Sequence, residues 1–221
     1  MNLTHREALG RDDFLVTHSN AAVVALVDEW PNWLSYAAII VGPEGSGKSH
    51  LAAVWCCASD APMRTAASLN ADEIPLLLAS GTAAIEDIDD PSLNERALFH
   101  ALNFAKQEGK YLLLTSKVHP QKLALKIPDL ASRLMALPAT NILPPDDALL
   151  RGVLVKQFAD RQIAVEEGLI SYILMRMPRS LASARTLVAD VDRLALLEKA
   201  EITKPLVARI LSQMESPDLF T

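Results

Sequence analysis

The stretch IIVGPEGSGKSHLAAVWC, which runs from Ile39 to Cys56, constrains the fold more strongly than any other part of the chain. Apolar residues lead into a glycine-rich turn, and a lysine and a serine then open an apolar run with helical spacing. The pattern predicts a buried strand over 36–41 and a helix over 49–58. The turn between them needs backbone conformations that glycine adopts most easily. The chain is therefore expected to contain a strand–loop–helix unit near its start.

The turn fits the spacing G-x-x-x-x-G-K-S, with Gly42, Gly47, Lys48 and Ser49 at its fixed positions. Glycines allow the backbone to curl so that several N–H groups point at one anion, and the following helix adds the positive end of its dipole. We expect Lys48 to reach the β- and γ-phosphates of a nucleotide and the Ser49 hydroxyl to hold Mg²⁺. The alternative is a strand–turn–helix unit whose glycines are incidental.

Strand and helix signals alternate along the first two-thirds of the chain. Further strands are predicted over 63–67, 82–88, 111–115 and 140–143, and further helices over 71–79 and 92–108. Ser92 and Glu95 have the spacing of a capping box at the start of the second of these helices. Apolar strands that alternate with helices predict an α/β fold, in which a parallel sheet is covered by helices on both faces.

The pattern changes at the Pro144-Pro145 pair. From Asp146 onward only helical periods occur, over 146–162, 166–177, 180–200 and 203–214. The sequence therefore predicts two domains: an α/β nucleotide-binding domain over 1–144 and a small all-helical domain over 145–221.

A second acidic element follows the predicted strand AAIEDIDD. Carboxylates at the carboxyl end of such a strand lie where parallel sheets bind their ligands. Glu86 is the candidate to hold Mg²⁺ through water, and Asp87 the candidate to orient an attacking water. Asp89 and Asp90 are interpreted as capping the next turn. The alternative is that all four are turn-forming acids at the end of a strand.

Three further candidates come from the strand end LLLTSK and from two arginines. Ser116, together with its neighbour Thr115, is placed to touch a γ-phosphate or the attacking water. Arg133 follows a predicted short helix, and Arg179 directly precedes a helix N-terminus, where a cation opposes the helix dipole. A nearby anion would offset that opposition, but simple solvation of each arginine is the alternative.

Charge and composition limit the classes of function. The 27 acidic residues outnumber the 21 basic ones, which gives a net charge of −6 and disfavours a dedicated nucleic-acid binder. No uncharged apolar run of 18 residues and no secretory signal are found, so a cytoplasmic protein is expected. Cys56 and Cys57 are adjacent on a predicted helix and point in different directions, so they are interpreted as small core residues.

Taken in order, these motifs resemble those of AAA+ ATPases. The closer resemblance is to the DnaA-related family, carried by the segments LLLTSKVHP, LASRL, ILPPDD and PRSL. The N-terminal phrase ALGRDDFLVTHSNAAVVAL and the chain length resemble the shorter DnaA-homologous regulators of the Hda family. Those regulators act with the sliding clamp to promote ATP hydrolysis by DnaA. The resemblance implies no C-terminal DNA-binding domain of the DnaA kind.

The resemblance assigns a role to each matching position. The phosphate loop spans 42–49, with His50 next to it, and Glu86 and Asp87 form the second acidic motif. Arg133 is the arginine finger offered to a neighbouring subunit, Ser116 the first sensor and Arg179 the second sensor on a helical lid. The implied ligands are ADP or ATP with Mg²⁺. The residues implied to contact the nucleotide or its metal are Phe14, Val16, Gly42, Gly45, Ser46, Gly47, Lys48, Ser49, His50 and Glu86. For Phe14 and Val16, ordinary core packing is the alternative.

Three positions depart from the family pattern. Glu86 stands where Asp is usual, which implies altered metal geometry and weakened intrinsic hydrolysis. Lys117 stands where DnaA commonly has Asp. The N-terminal residues Met1-Asn2-Leu3 lack the glutamine of a clamp-binding peptide, so the chain is cut short, lacks clamp binding or uses another surface.

The function expected from the resemblance is that of a nucleotide-binding regulator of replication initiation, which stimulates ATP hydrolysis by DnaA through Arg133. Its own nucleotide would act as a conformational clamp between the two domains, and a homo-oligomer is a further possibility. A self-sufficient P-loop ATPase or a small-molecule kinase is the alternative. A loader that grips DNA directly is disfavoured by the acidic charge.

Overall fold

The computed structural model describes residues 15–215 of the chain. The described chain forms two compact units. The N-terminal unit contains residues 15–16 and Asn20–Leu143, and the C-terminal unit contains Thr17–Ser19 and residues 144–215.

The N-terminal unit is built on a parallel sheet with the strand order β2-β3-β4-β1-β5. The strands are β1 Ala37–Val41, β2 Met63–Thr65, β3 Thr82–Glu86, β4 Tyr111–Ser116 and β5 Ala139–Asn141. The helices are α1 Ala21–Asp28, α2 Lys48–Ser59, α3 Ile74–Leu77, α4 Glu95–Glu108 and α5 Pro128–Ala136. Short 3₁₀ turns occur at Ala66–Ser68, Ala71–Glu73 and Pro120–Lys122. The predicted α/β fold is confirmed.

Residues of the central strands point alternately to the two faces of the sheet. Ile39, Ile85 and Leu114 belong to a buried cluster with residues of α3, α4 and α5. Ile40 and Leu113 belong instead to a second buried cluster with residues of α1 and α2. Because a strand side chain changes face at each residue, the wholly apolar sequence of these strands follows from burial on both faces.

The face that carries α2 is filled by aromatic rings. The fully buried Trp55 of α2 stacks on Trp33 with 5.4 Å between ring centroids, and Trp30 meets its edge at 6.0 Å. Aromatic pairs at such separations stabilise a core beyond the area that they bury. The preceding helix α1, which the sequence analysis does not predict, adds Val23, Val24 and Val27 to the same cluster.

The start of α4 differs from the predicted capping box. The cap is Asn94, whose side chain accepts a hydrogen bond of 3.2 Å from the Ala97 N–H. The N–H and hydroxyl of Ser92 donate instead to Asp90, which confirms Asp90 as the cap of this turn. The Glu95 carboxylate accepts from the backbone N–H groups of 126 and 127. The prediction of a Ser92–Glu95 box was therefore wrong.

The predicted helix over 71–79 is shorter than expected. A 3₁₀ turn occupies Ala71–Glu73, and α3 covers only Ile74–Leu77. Pro75 lies in the first turn of α3, where its missing N–H costs no helical hydrogen bond. The strand predicted over 63–67 also ends early, at Thr65, because the chain enters a 3₁₀ turn at Ala66.

The C-terminal unit consists of four helices in its described part. They are α6 Asp147–Ala159, α7 Glu167–Leu174, α8 Leu181–Glu198 and α9 Lys204–Glu215. Their apolar faces enclose one cluster around the fully buried Phe158. Asp146 caps α6 by accepting a hydrogen bond of 2.7 Å from the Leu149 N–H, and that bond lowers the pKa of the Asp146 carboxyl.

The two cysteines are free thiols, as predicted; Cys56 packs against the buried cluster of α1 and α2, whereas the interpretation of Cys57 as a core residue was wrong. Cys56 is half-buried and Cys57 is exposed. Burial, the neighbouring Cys57 and the charge of Glu86 raise the pKa of the Cys56 thiol to about 12. A thiol with such a pKa stays protonated at neutral pH and is a poor nucleophile.

None of the helices within residues 15–215 combines the length and apolarity needed to cross a bilayer.

Replacement of Asn94 tests the cap of α4. We expect Asn94→Ala to lower the free energy of unfolding by about 1 kcal/mol, because the Ala97 N–H loses its acceptor, and Asn94→Ser to retain most of the stability. Urea unfolding followed by tryptophan fluorescence reports on this unit, since all three tryptophans lie in it. If Ser92→Ala lowered the free energy of unfolding more than Asn94→Ala does, Ser92 and not Asn94 would be the cap of α4.

Candidate phosphate-binding site

The candidate site begins where β1 and β4 end side by side. Val41 is paired with Ser116, and the Gly42 N–H donates a hydrogen bond of 3.1 Å to the Ser116 carbonyl. The chain leaves β1 toward β2 and leaves β4 toward β5, so the two connections run in opposite directions along the sheet and lead to helices on opposite faces. Parallel sheets bind ligands at the carboxyl ends of strands where neighbouring connections turn to opposite faces in this way.

The loop between β1 and α2 has the conformation for which its glycines were predicted. Gly45 has a φ of 71° and Gly47 a φ of 101°, values that residues with a Cβ rarely adopt. Gly42 is required for a different reason. A Cβ added there would lie 2.8 Å from the Ser46 Oγ and 3.1 Å from the Ile142 Cβ. The backbone and its neighbours therefore leave no room for a side chain at 42.

Lys48, the first residue of α2, carries its charge into this loop. Its side chain is 6% exposed, and its Nζ donates hydrogen bonds to the carbonyl oxygens of Gly42 (2.8 Å) and Pro43 (2.9 Å). Burial lowers the pKa of the Lys48 ammonium, and the charge of Asp87 partly opposes that shift. An anion in the loop would stabilise this buried charge directly.

One buried polar atom of the loop has hydrogen-bonding capacity to spare. Ser46 is 4% exposed, and its Oγ has no hydrogen-bond partner among residues 15–215. Ser49 is exposed in the first turn of α2, and His50 next to it is half-buried. A buried hydroxyl without a partner costs free energy unless a ligand or water satisfies it. These features fit a polyphosphate with an associated Mg²⁺.

Glu86 ends β3 on the face of the sheet that α2 covers. Thr82, four residues earlier on the same face of β3, donates a hydrogen bond to the Ser59 carbonyl of α2. The Glu86 charge raises the pKa of Cys56, which is also a residue of α2. In the described part of the chain, the buried Glu86 Oε1 accepts no hydrogen bond. A free carboxylate oxygen of this kind is a suitable ligand for Mg²⁺ or its waters. No group of three or more His, Cys, Asp or Glu within 15–215 is arranged to hold a metal ion.

Asp87 is held in place by Thr115. The backbone of Asp87 has a φ of 56°, in the left-handed region, and its N–H donates a hydrogen bond of 3.0 Å to the Thr115 Oγ1. The Thr115 carbonyl accepts from the Ile88 N–H at 2.9 Å. Thr115 therefore fixes the turn that presents the Asp87 side chain. The sequence places Thr115 beside this turn, but it carries no signal for these bonds.

Ser116 is fully buried at the end of β4. Its hydroxyl donates a hydrogen bond of 2.6 Å to the Val118 carbonyl and accepts one of 3.2 Å from the Val118 N–H. The hydroxyl thus closes a local turn, while the Ser116 carbonyl holds the start of the phosphate loop.

The sequence analysis predicts that Arg133 follows a short helix. In the structure, Arg133 lies within α5. It belongs to the last turn, where a cation is favoured by the helix dipole. Its guanidinium carbon is 5.2 Å from the centroid of the Phe99 ring of α4, a cation–π arrangement. The structure therefore places Arg133 on the surface formed by α4 and α5.

Arg179 belongs to the C-terminal unit, where it precedes the α8 cap Ser180, as predicted. Its guanidinium is paired with the Asp147 carboxylate at 2.6 Å. A carboxylate of α6 thus offsets the cost of a cation at this position. Both side chains are at least half exposed, so the pair contributes little stability.

Of the two candidates for adenine contact, only Val16 lies among the described residues. Val16 is 48% exposed, so the alternative of ordinary core packing is wrong for this residue. Phe14 lies outside the described residues.

Comparison with solved structures finds similar folds among replication initiation proteins and a Holliday junction branch migration motor. Domain III of the replication initiation protein DnaA from Thermotoga maritima matches with a TM-score of 0.77 at 18% identity, over 96% of this chain and 99% of that one. AMPPCP-bound DnaA from Aquifex aeolicus matches with a TM-score of 0.68 at 16% identity, over 88% of this chain and 68% of that one.

The RuvB Holliday junction branch migration motor of Thermotoga maritima also matches, with a TM-score of 0.67 at 17% identity, over 88% of this chain and 66% of that one. No protein-family model matches the sequence. At 16–18% identity these similarities show that the chain shares the fold of these proteins.

Replacement of Thr115 tests the support of the acidic motif. We expect Thr115→Val to lower the free energy of unfolding by about 1 kcal/mol, because the Asp87 N–H loses its acceptor in a partly buried turn. Thr115→Ser keeps the hydroxyl and should retain most of that stability. Urea unfolding of both variants makes the comparison, and equal stability of the Val and Ser variants would contradict this role.

Proposed function

We propose that the protein is an adenine-nucleotide-binding regulator of bacterial replication initiation, of the Hda type, which stimulates ATP hydrolysis by DnaA. The observation that carries this proposal is the match to DnaA domain III, which spans nearly the whole of both chains. Beside it stands a phosphate loop whose buried lysine and hydroxyl are suited to an anion.

The phosphate loop holds the polyphosphate of ADP or ATP. Lys48 leaves the carbonyls of Gly42 and Pro43 to bind phosphate oxygens, and Ser46 and the loop N–H groups add hydrogen bonds. Ser49 and Glu86 are the residues that would hold Mg²⁺, and the metal would neutralise charge on the phosphates. DnaA from Aquifex aeolicus, whose fold is similar, has been solved with AMPPCP bound, and this supports an adenine nucleotide as the ligand here.

Intrinsic hydrolysis is weak in this proposal. Asp87 is available to orient water, but Glu86 is one methylene longer than the aspartate usual at its position. The Ser116 hydroxyl is engaged with Val118, and it must rotate away before it can contact a γ-phosphate. The bound nucleotide therefore acts chiefly as a structural ligand, and Arg179 is retained as the candidate for its second sensor.

Arg133 acts on the ATP of DnaA and not on the nucleotide of its own chain. The Arg133 guanidinium lies over the Phe99 ring, and a planar guanidinium of this kind suits the oxygens of a phosphate. In other systems an arginine finger supplied by a partner raises the hydrolysis rate by about 10³–10⁵. In this proposal the protein acts in the cytoplasm, and a DNA-loaded sliding clamp is its second partner.

A mixing assay tests the role of Arg133. ATP hydrolysis by DnaA is measured with and without the protein, and with and without DNA-loaded clamp. We expect Arg133→Ala to reduce the stimulation by at least about a hundredfold, since it removes the charge that stabilises the transition state. Its own affinity for ADP should be unchanged. Arg64→Ala is the matched control, because Arg64 is exposed on β2 and bonds to the Met63 carbonyl.

Two results of this assay would contradict the proposal. Full stimulation by the Arg133→Ala variant would remove Arg133 from the mechanism. Rapid ATP turnover by the protein without DnaA, or phosphate transfer to a small molecule, would favour the alternative of a self-sufficient ATPase or kinase.

A further inference from the structure

Positive charge is concentrated in one stretch of the chain. Residues 91–145, which include α4, β4 and α5, contain seven lysines and arginines against three acidic residues, whereas residues 1–90 contain four against 13. A protein whose net charge is −6 thus carries a local excess of positive charge. Apart from Arg133, the proposed function gives these cations no role.

Helix α4 is fastened to the segment that leads into α5. The carboxylate of Glu95, the first residue of α4, accepts hydrogen bonds of 2.8 to 3.0 Å from the backbone N–H groups of Lys126 and Ile127. The 3₁₀ turn Pro120–Lys122 packs against α5. The segment that carries Lys122 and Lys126 is therefore held against both helices.

Two arginines border the same junction. The guanidinium carbon of Arg133 in α5 lies 5.2 Å from the centroid of the Phe99 ring in α4. Arg96 precedes Phe99 by three positions in α4, and residues at this spacing are neighbours on a helix surface. Arg96, Lys122, Lys126 and Arg133 thus surround the junction of the two helices, and these four residues are called the α4–α5 surface below.

The cations that flank Arg133 are not neutralised. Arg96, Lys122 and Lys126 are exposed, and within residues 15–215 none of their side chains forms an ion pair or a hydrogen bond. Most cations of the C-terminal unit are instead paired with carboxylates, namely Arg151, Lys156, Arg161, Arg179, Arg193 and Arg209. The α4–α5 surface therefore presents its positive charge to solvent.

The acidic residues of α4 and α5 do not cancel this charge. Glu95 is engaged with backbone N–H groups, Glu108 lies at the other end of α4, and Asp129 lies in the first turn of α5, where the helix dipole favours an acid. None of the three forms an ion pair within the described part of the chain.

The proposed role of Arg133 indicates what such a surface would meet. An arginine offered to the nucleotide of a partner must approach a bound triphosphate, which carries several negative charges. In this chain, the acids Glu86, Asp87, Asp89 and Asp90 follow β3 beside the phosphate loop. A partner that binds nucleotide in the same way presents a negatively charged face.

We propose that the α4–α5 surface is a docking surface for an acidic protein face that carries a nucleoside triphosphate. Arg96, Lys122 and Lys126 attract and orient the partner, and Arg133 acts once the partner is bound. This inference rests on the proposed function and names the chemistry of the partner's surface. Complementary charges of this kind chiefly raise the rate of association and fix the orientation of the complex.

An acidic protein face fits these observations better than a nucleic acid does. The surface has only four cations, and the excess of acids in residues 1–90 repels a long phosphate backbone. The Phe99 ring, which could otherwise stack on a base, is already covered by Arg133.

The test measures ATP hydrolysis by DnaA as a function of the concentration of the intact protein. We expect the double variant Lys122→Glu, Lys126→Glu to raise the half-saturating concentration at least about tenfold, because attraction becomes repulsion. The maximal stimulation should stay within about twofold of the wild-type value, because Arg133 is intact. Arg96→Gln, which only removes a charge, should raise the half-saturating concentration about twofold.

The double variant Lys199→Glu, Lys204→Glu is the matched control. It changes the net charge by the same amount at two exposed lysines of the C-terminal unit, and it should leave the half-saturating concentration unchanged. Added salt gives a second readout. It should weaken the wild-type interaction and narrow its difference from the Lys122→Glu, Lys126→Glu variant, since salt screens exposed charges. A variant that had only lost structure would differ by the same factor at every salt concentration.

Surface plasmon resonance with ATP-loaded DnaA separates the docking surface from the proposed function. Binding that is weakened by the Lys122→Glu, Lys126→Glu variant and not by the control would support the surface, even if the wild type failed to stimulate hydrolysis and so lost its proposed function. Full stimulation at an unchanged half-saturating concentration in this variant would overturn the surface and leave the proposed function standing.

Three further outcomes would also overturn the inference. One is an equal effect of the control variant, which would assign the change to net charge alone. Another is salt-dependent binding of duplex DNA that the Lys122→Glu, Lys126→Glu variant loses, which would make the surface a nucleic-acid interface. The third is a wild-type protein that neither binds nor stimulates DnaA, which would remove the proposed function as well.

Discussion

The buried positive charge of Lys48 is the constraint on which the arrangement of the site depends. The ammonium group is almost removed from water, and its hydrogen bonds go to the backbone carbonyls of Gly42 and Pro43. A buried charge is costly unless it is paired, and carbonyl dipoles compensate for it only in part. The loop is held in this state by the sheet, because Gly42 is bonded to Ser116 and is closed in by Ile142. The fold thus maintains a cation where an anionic ligand can approach it.

The sequence predicts the layered fold and the loop because both depend on local patterns. Apolar strands such as 111–115 mark burial on two faces, and the glycines mark backbone conformations that other residues avoid. Features set by tertiary contacts were predicted less well. The capping box at α4 fails because the Glu95 carboxylate, which the box needs, accepts hydrogen bonds from the backbone N–H groups of 126 and 127, and α5 extends through Arg133 because Leu130 and Leu134 are buried in the core. Neither contact has a signature in sequence spacing.

Thr115 shows the same distinction at the site itself. Its place at the end of a strand could be predicted from the sequence, and its type suggested a hydroxyl that meets a ligand. The structure instead uses this hydroxyl to hold Asp87, and it uses the Ser116 hydroxyl to close a turn with Val118. Side-chain hydrogen bonds between neighbouring strands depend on register, which a single sequence does not specify. Arg133 lies over the Phe99 ring on the surface formed by α4 and α5, a contact that the sequence alone does not indicate.

A crystal structure of the protein grown with ADP and Mg²⁺ tests the central claim most directly. The account predicts the diphosphate in the loop between β1 and α2, with Lys48 Nζ moved from the carbonyls of Gly42 and Pro43 to phosphate oxygens and the Ser46 hydroxyl bonded to the ligand. Crystals grown at saturating ADP in which Lys48 still bonds to both carbonyls, with no nucleotide in the loop, would contradict it.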